Sequence, residues 1–370
     1  MNRRTFLQRA ACAPILGAIH PFTLGAQPAE PAFAYVATPD AICAFAIKVR
    51  KWTLVETVAS RSPSFIAIHP ERKYLYAANE IDEYKGVPQA TVEAYAIDVV
   101  AGRLKFLNRR PLSLSATRPR HVEVSPDGKA LAVAAGGGGV YNVISIETNG
   151  ALGKVTGIRK EVGCGPHEKY QSAAHPHSLV FHPAGQYLAA TDLGCDRVGS
   201  FNIVNGTLVR RASLATPPGS GPGALIFHHS GSLLYVIHEL RPLISCHRFD
   251  PNTGETEQPF QTIEGNDFAG PSEAALAISS RGNFLYSARA STKAVTAWAI
   301  DPVSGRLSQH DTWHDPSFSP GALRIARARL YASDNVSGSI VQLSIDAATG
   351  KFRQIACAAR VATPRGLCVS

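Results

Sequence analysis

Arg120-His-Val-Glu-Val-Ser-Pro-Asp-Gly-Lys-Ala-Leu131-Ala-Val-Ala134 recurs, in altered form, at three other places in the chain. The related stretches run from Ser64 to Ala78, His177 to Thr191 and Gly223 to Ile237. A proline precedes each one (Pro63, Pro119, Pro176, Pro222) and lies twelve residues before the aligned leucine, which is Leu75, Leu131, Leu188 or Leu234. Looser copies follow around Pro271 to Ala288 and Pro320 to Ser333. A repeat of roughly 40 to 55 residues signals a propeller or a solenoid.

Within each copy, an alternating apolar run meets a turn such as Ser125-Pro126-Asp127-Gly128, and a second apolar run follows. This is the pattern of a hairpin. Outer strands such as Ala294 to Ile300 come next, closed by turns such as Asp301 to Gly305. Four strands per repeat make a propeller blade. Phe33 to Ala37 reads as a second strand with no first strand before it, whereas Pro364 to Ser370 reads as a first strand with nothing after it. The expectation is an all-β, seven-bladed propeller over residues 27–370, its ring closed by pairing of the two ends. Closure removes open sheet edges.

Composition agrees with a packed domain, since 45% of the 370 residues are hydrophobic and only 18% charged. The opening Met1-Asn2-Arg3-Arg4-Thr5-Phe6-Leu7 precedes a weakly apolar stretch from Ala10 to Ile19, which reads as a twin-arginine signal over residues 1–26. A periplasmic product is expected, carried there by the twin-arginine export machinery. The apolar run is interrupted by Pro14 and falls short of the roughly 20 residues that a membrane-spanning helix needs. Removing Arg3, Arg4 and Arg9 lowers the net charge from +9 to +6, with no long basic run. Nucleic acid is therefore not an expected partner, while a small anionic substrate is compatible. Of seven cysteines, six lie beyond the leader, and none form a Cys-x-x-Cys pair, so no metal site is expected. Oxidation to one or two disulfides is an open alternative to free thiols.

In an antiparallel hairpin the start of the first strand and the end of the second lie side by side. Both positions are therefore expected at one rim of the central channel. The first carries Ser64, Arg120, His177, Gly223 and Arg365; the second carries Asn79, Asp192, His238, Arg289 and Asp334, with Glu80, Glu239 and Asn335 one residue on. Polar residues concentrated at strand ends point to a concave ligand site. Substrate contacts are expected from Arg120, His121, Asp192, His238, Asn79 and Glu80.

His175-Pro176-His177-Ser178, followed by Asp192-Leu193-Gly194-Cys195-Asp196-Arg197-Val198, resembles the His-Pro-His and Asp-Leu-Gly-x-Asp-Arg-Val motifs of the propeller lactonases. Their best-known members hydrolyse 6-phosphogluconolactone, and the same propeller group includes carboxymuconate cyclases. The resemblance covers essentially the whole chain beyond the leader. It implies a cofactor-free lactonase acting on a sugar lactone, phosphorylated or not, with His177, Glu239 and Arg289 as catalytic residues. His177 or Glu239 would be the base and Arg289, with Arg120, the anion-holding group. Asp192, Asp196 and Arg197 also admit a purely structural role in an inter-blade loop. One departure stands out: the family's Gly-Pro-Arg-His reads Gly221-Pro222-Gly223-Ala224 here. Muconate-type cycloisomerisation and a non-catalytic binding platform are the alternatives.

Overall fold

The computed structural model describes residues 33–48, 51–265, 270–326 and 328–370. The expected signal at 1–26 lies outside these residues. The described chain forms seven four-stranded antiparallel sheets. Blade 1 joins the two ends of the chain: Leu367–Val369 pairs with Phe33–Ala37, in the register Val36 to Leu367, Tyr35 to Cys368 and Ala34 to Val369. The ring closes as the orphan strand predicts.

Six continuous blades follow, with innermost strands Pro63–Ile68, Thr117–Val124, Pro176–Phe181, Pro222–Phe227, Ala274–Ile278 and Pro320–Ala326. With Leu367–Val369, each innermost strand neighbours the next around a central channel. The aligned leucine of the repeat explains why the blades stack. Leu75, Leu131, Leu188, Leu234, Leu285 and Leu330 are all sealed from solvent, packed between neighbouring sheets. Truncating any one to alanine is worth about 2–5 kcal/mol.

Polar stitches join successive blades. The hydroxyls of Tyr35, Tyr76, Tyr235 and Tyr286 donate to the carbonyls of Gly102, Gly150, Gly305 and Gly350 in the outer turn of the next blade. In the inner turns, a ring nitrogen of His69, His182 and His228 meets the carbonyl oxygen of Gly128, Gly231 and Gly282. These histidines are thereby accounted for as fold determinants. Gly150 shows why the outer turn needs glycine, because its φ is +80° and a β-carbon would fall 2.2 Å from the Tyr74 ring.

Candidate functional site at the channel mouth

The local backbone at the rim decides which side chains reach the channel. In blades 2, 4, 5 and 7 the innermost strand opens with a proline paired across the hairpin, in blade 3 Pro119 takes that pairing two residues into the strand, and in all five the register then slips. The residue after the proline is thus extra, as in a β-bulge, and bulges re-aim side chains. Ser64, Arg120 and His177 occupy this position and line the channel, a cavity of about 700 Å³.

The residues opposite the prolines behave differently. Proline offers no N–H to the ladder, and the polar side chains there organise the blade itself. Asn79, paired with Pro63, donates to Ser60 Oγ and the Arg61 carbonyl and accepts from Thr91. Asp192, paired with Pro176, accepts from the backbone N–H groups of His175 at 2.7 Å and Cys195 at 3.1 Å. His238, paired with Pro222, contacts Ser245 Oγ and is driven down to about 3 by burial, then by His247 and Arg289, so it stays neutral. None of these three lines the channel. Direct substrate contact is the expectation for Asn79, Asp192 and His238; the structure instead places all three in the blades, off the channel lining.

Arg289, expected as a catalytic group, is placed likewise. It is 7% exposed, Nη2 donates to the His238 carbonyl, and the residue does not line the channel. Burial lowers its guanidinium pKa, a shift that nearby Glu239 opposes. Asp192, by holding the backbone of His175, braces the segment that presents His177. Asp196 accepts from Gln171 and from the backbone of Gly219 and Gly221, so it does secure an inter-blade connection.

One residue further along the second strand the chain does return to the mouth. Glu80, Glu239 and Asn335 all line it. His177 Nε2 lies 3.3 Å from Glu239 Oε2. Burial would raise the Glu239 pKa, but His177, Arg120 and the Ala274 N–H outweigh it and hold the carboxyl below its ordinary range. Arg120 contacts Glu80 at 3.1 Å and Glu273 at 3.5 Å, and Arg365 reaches Glu80 at 3.7 Å. Burial alone would weaken the Arg120 charge, yet Glu80, Glu273 and Glu239 more than offset it. His121 sits below, its ring 4.3 Å from that of Phe65. Burial, Arg324 and His177 push it down to about 3, so it too is neutral.

The position of the missing arginine is filled. A β-carbon on Gly223 would lie 2.6 Å from Glu239 Cγ and 2.8 Å from Oε1. In this chain Glu239 occupies the space that a side chain at 223 would need. Glu273, Arg324 and Glu123 also line the channel, and strand-end reasoning missed them. Glu273 stands in the irregular entry to blade 6. Glu123 and Arg324 lie deeper, where counting alternate residues from His121 and Ala322, one past the extra residue, finds them.

These features define a closed seven-bladed propeller with an acid–histidine–arginine set at the channel mouth. The family described as "Lactonase, 7-bladed beta-propeller" matches residues 36–370, and the chain belongs to it. It is 27% identical over 318 residues to a 6-phosphogluconolactonase of Bacillus subtilis, covering 83% of this chain and 86% of that one. A 6-phosphogluconolactonase of Formosa agariphila is 26% identical, over 79% of this chain and 84% of its own length. In fold the chain is similar to the periplasmic gluconolactonase of Pseudomonas aeruginosa, with a TM-score of 0.81 and 23% identity over 91% of this chain and 98% of that one.

Proposed function

We propose that the protein hydrolyses a sugar lactone at the channel mouth, as a 6-phosphogluconolactonase-like carboxylic ester hydrolase. The observation that carries this reading is the Glu239–His177 contact of 3.3 Å beside Arg120 at the mouth of a 700 Å³ cavity. Family membership and the names of the curated relatives support it.

Glu239 is the better base of the pair. His177 spends Nε2 on Glu239, while its Nδ1 is sealed from the cavity. Glu239 takes a proton from water as the water oxygen adds to the lactone carbonyl carbon. Arg120 faces the oxygen that gains charge. Collapse breaks the bond from carbonyl carbon to ring oxygen, and the proton passes from Glu239 to that departing oxygen. General base catalysis is worth about 10²–10⁴ in rate, and loss of one oxyanion donor costs about 2.7–4 kcal/mol. Glu239→Gln and Arg120→Gln are therefore each expected to cut turnover by 100-fold or more, roughly, with the fold intact by circular dichroism. Losses under about tenfold in both would place the chemistry elsewhere. The twin-arginine reading of Arg3 and Arg4 further proposes a periplasmic site of action, which fractionation of cells expressing the full chain tests.

A further inference from the structure

Beneath the rim the channel wall is uneven. The next layer carries Phe65 and His121 on two neighbouring blades, but only Ser178, Ala224, Ala275 and Ala322 on four of the others. The layer below is apolar around most of the ring, with Ala67, Val180 and Ile226, and is broken by Glu123 and Arg324. A guanidinium in such a ring is costly unless something compensates it. Among the described residues, no carboxylate lies within ion-pair distance of Arg324. One of its five donors goes to the Leu323 carbonyl at 2.9 Å, and its guanidinium lies 5.8 Å from the Phe65 ring centre. The neighbouring Cys368 thiol donates to the Ile66 carbonyl, and its sulfur is a neutral hydrogen-bonding partner of Arg324 that leaves the guanidinium charge unbalanced.

The charges at the rim are differently arranged. Three carboxylates there, Glu80, Glu239 and Glu273, face two guanidiniums, Arg120 and Arg365, which are already paired with them. With three carboxylates against two guanidiniums, the rim disfavours a permanently charged group, while Arg120 still faces the transient charge on a lactone carbonyl oxygen. Among the described residues, Arg324 is the channel guanidinium that has no carboxylate partner.

We propose that Arg324, flanked by His121 and Glu123, forms an oxyanion subsite below the rim that takes a phosphoryl or carboxylate group carried by the substrate away from its lactone carbonyl. The word substrate rests on the lactonase reading above; oxyanion binding by Arg324 does not. Glu123 sets the pH dependence. Desolvation by the surrounding protein raises it to about 7, against the Phe181 N–H and Arg324, which lower it. Its titratable or charged neighbours are His121 on its own strand, Arg324 and Cys368 across the channel, and His177 on the next blade. Blades 2, 5 and 6 present Ala67, Ile226 and Ala277 at this level, none of which titrates. Below pH 7 Glu123 gains a proton and Arg324 is left uncompensated; above it, the carboxylate competes with any bound anion.

Calorimetric titration with sodium sulfate, whose charge is constant over the range, tests this at pH 6 and pH 8. Wild-type protein is expected to bind sulfate about fivefold or more tightly at pH 6 than at pH 8, Arg324→Gln to lose about tenfold or more at pH 6, and Glu123→Gln to keep its pH 6 affinity at pH 8. Binding unchanged in Arg324→Gln, or no sulfate binding by wild type, overturns the subsite. A second arm uses 6-phosphogluconate, glucarate and gluconate. The two ligands that carry a second anionic group, 6-phosphogluconate and glucarate, should bind about tenfold tighter than gluconate in wild type and lose that advantage in Arg324→Gln, the stronger of them naming phosphoryl or carboxylate. Equal binding of all three by wild type overturns the proposal. If Arg324 binds sulfate but no lactone is turned over, the subsite stands and the lactonase reading falls; turnover with binding insensitive to Arg324→Gln sinks the subsite alone.

Discussion

Replacing Gly223 by alanine adds a single carbon, at the place where the resemblance to the Gly-Pro-Arg-His motif implies an arginine. That carbon would fall 2.6 Å from Glu239 Cγ and 2.9 Å from Cδ, against an ordinary contact of 3.4–4 Å. The backbone at Gly223 lies outside the left-handed region, so the cost is steric rather than conformational. Glu239 has to retreat by about 1 Å, and its contact with His177, already 3.3 Å long, opens. A displacement of that size at a reacting group costs on the order of 100-fold in rate, or about 2.7 kcal/mol of barrier. Overpacking adds roughly 1–3 kcal/mol of destabilisation. Steady-state hydrolysis of the best available lactone, with a thermal melt in parallel, measures both. Gly223→Ala is expected to lose about two orders of magnitude in kcat, and Gly223→Arg at least as much. Restoring the family's arginine should therefore not restore activity unless Glu239 is moved as well. A Gly223→Ala protein that works within threefold of wild type and melts at the same temperature would refute the placement of Glu239.

Glu239 is held below the ordinary carboxyl value of 4.5, so kcat at saturating substrate should be lost as pH falls through a point under 4.5; a kcat that falls with acidity near neutrality would mean that an imidazole takes the proton instead. Removing the strand that closes blade 1, by stopping the chain before Pro364, should lower the melting temperature of the entire ring in one cooperative step, and an unchanged melt would contradict closure through the ends. Arg289→Lys breaks the hydrogen bond to the His238 carbonyl without touching the channel. It should cost about 1–3 kcal/mol of stability and leave KM for a lactone within about threefold, as urea unfolding and initial rates would show.

The blade repeat was legible because two constraints recur at fixed spacing: a proline at the rim and a leucine between the sheets. Ring closure was legible from an incomplete first blade and a surplus last strand. The site was legible only in part. His177, Arg120, Glu80 and Glu239 were found from their places at strand ends, and all four line the channel. Asn79, Asp192, His238 and Arg289 occupy similar places but face into the blades. For Asn79, Asp192 and His238 the separation comes from the slip after the rim proline, which turns the extra residue into the channel and leaves the residue opposite the proline to serve the blade; Arg289, opposite Ala274, turns inward without one. Alternation counted without that slip mixes the two sets. The same slip hid Glu123 and Arg324, which belong to the second layer below the rim. The vacant arginine at 223 was visible in the sequence, but its filling by Glu239 is a contact between adjacent strands that no local pattern shows.

The central claim is that this channel mouth opens lactones. Its most direct measurement is NMR-monitored hydrolysis of a panel comprising gluconolactone, 6-phosphogluconolactone and an aldarolactone by the purified protein, each corrected for spontaneous opening and repeated with Glu239→Gln. The account predicts enzyme-dependent ring opening of at least one lactone, reduced by roughly 100-fold or more in Glu239→Gln. Ring opening no faster than the spontaneous rate for every lactone, or equal rates for wild type and Glu239→Gln, would contradict it.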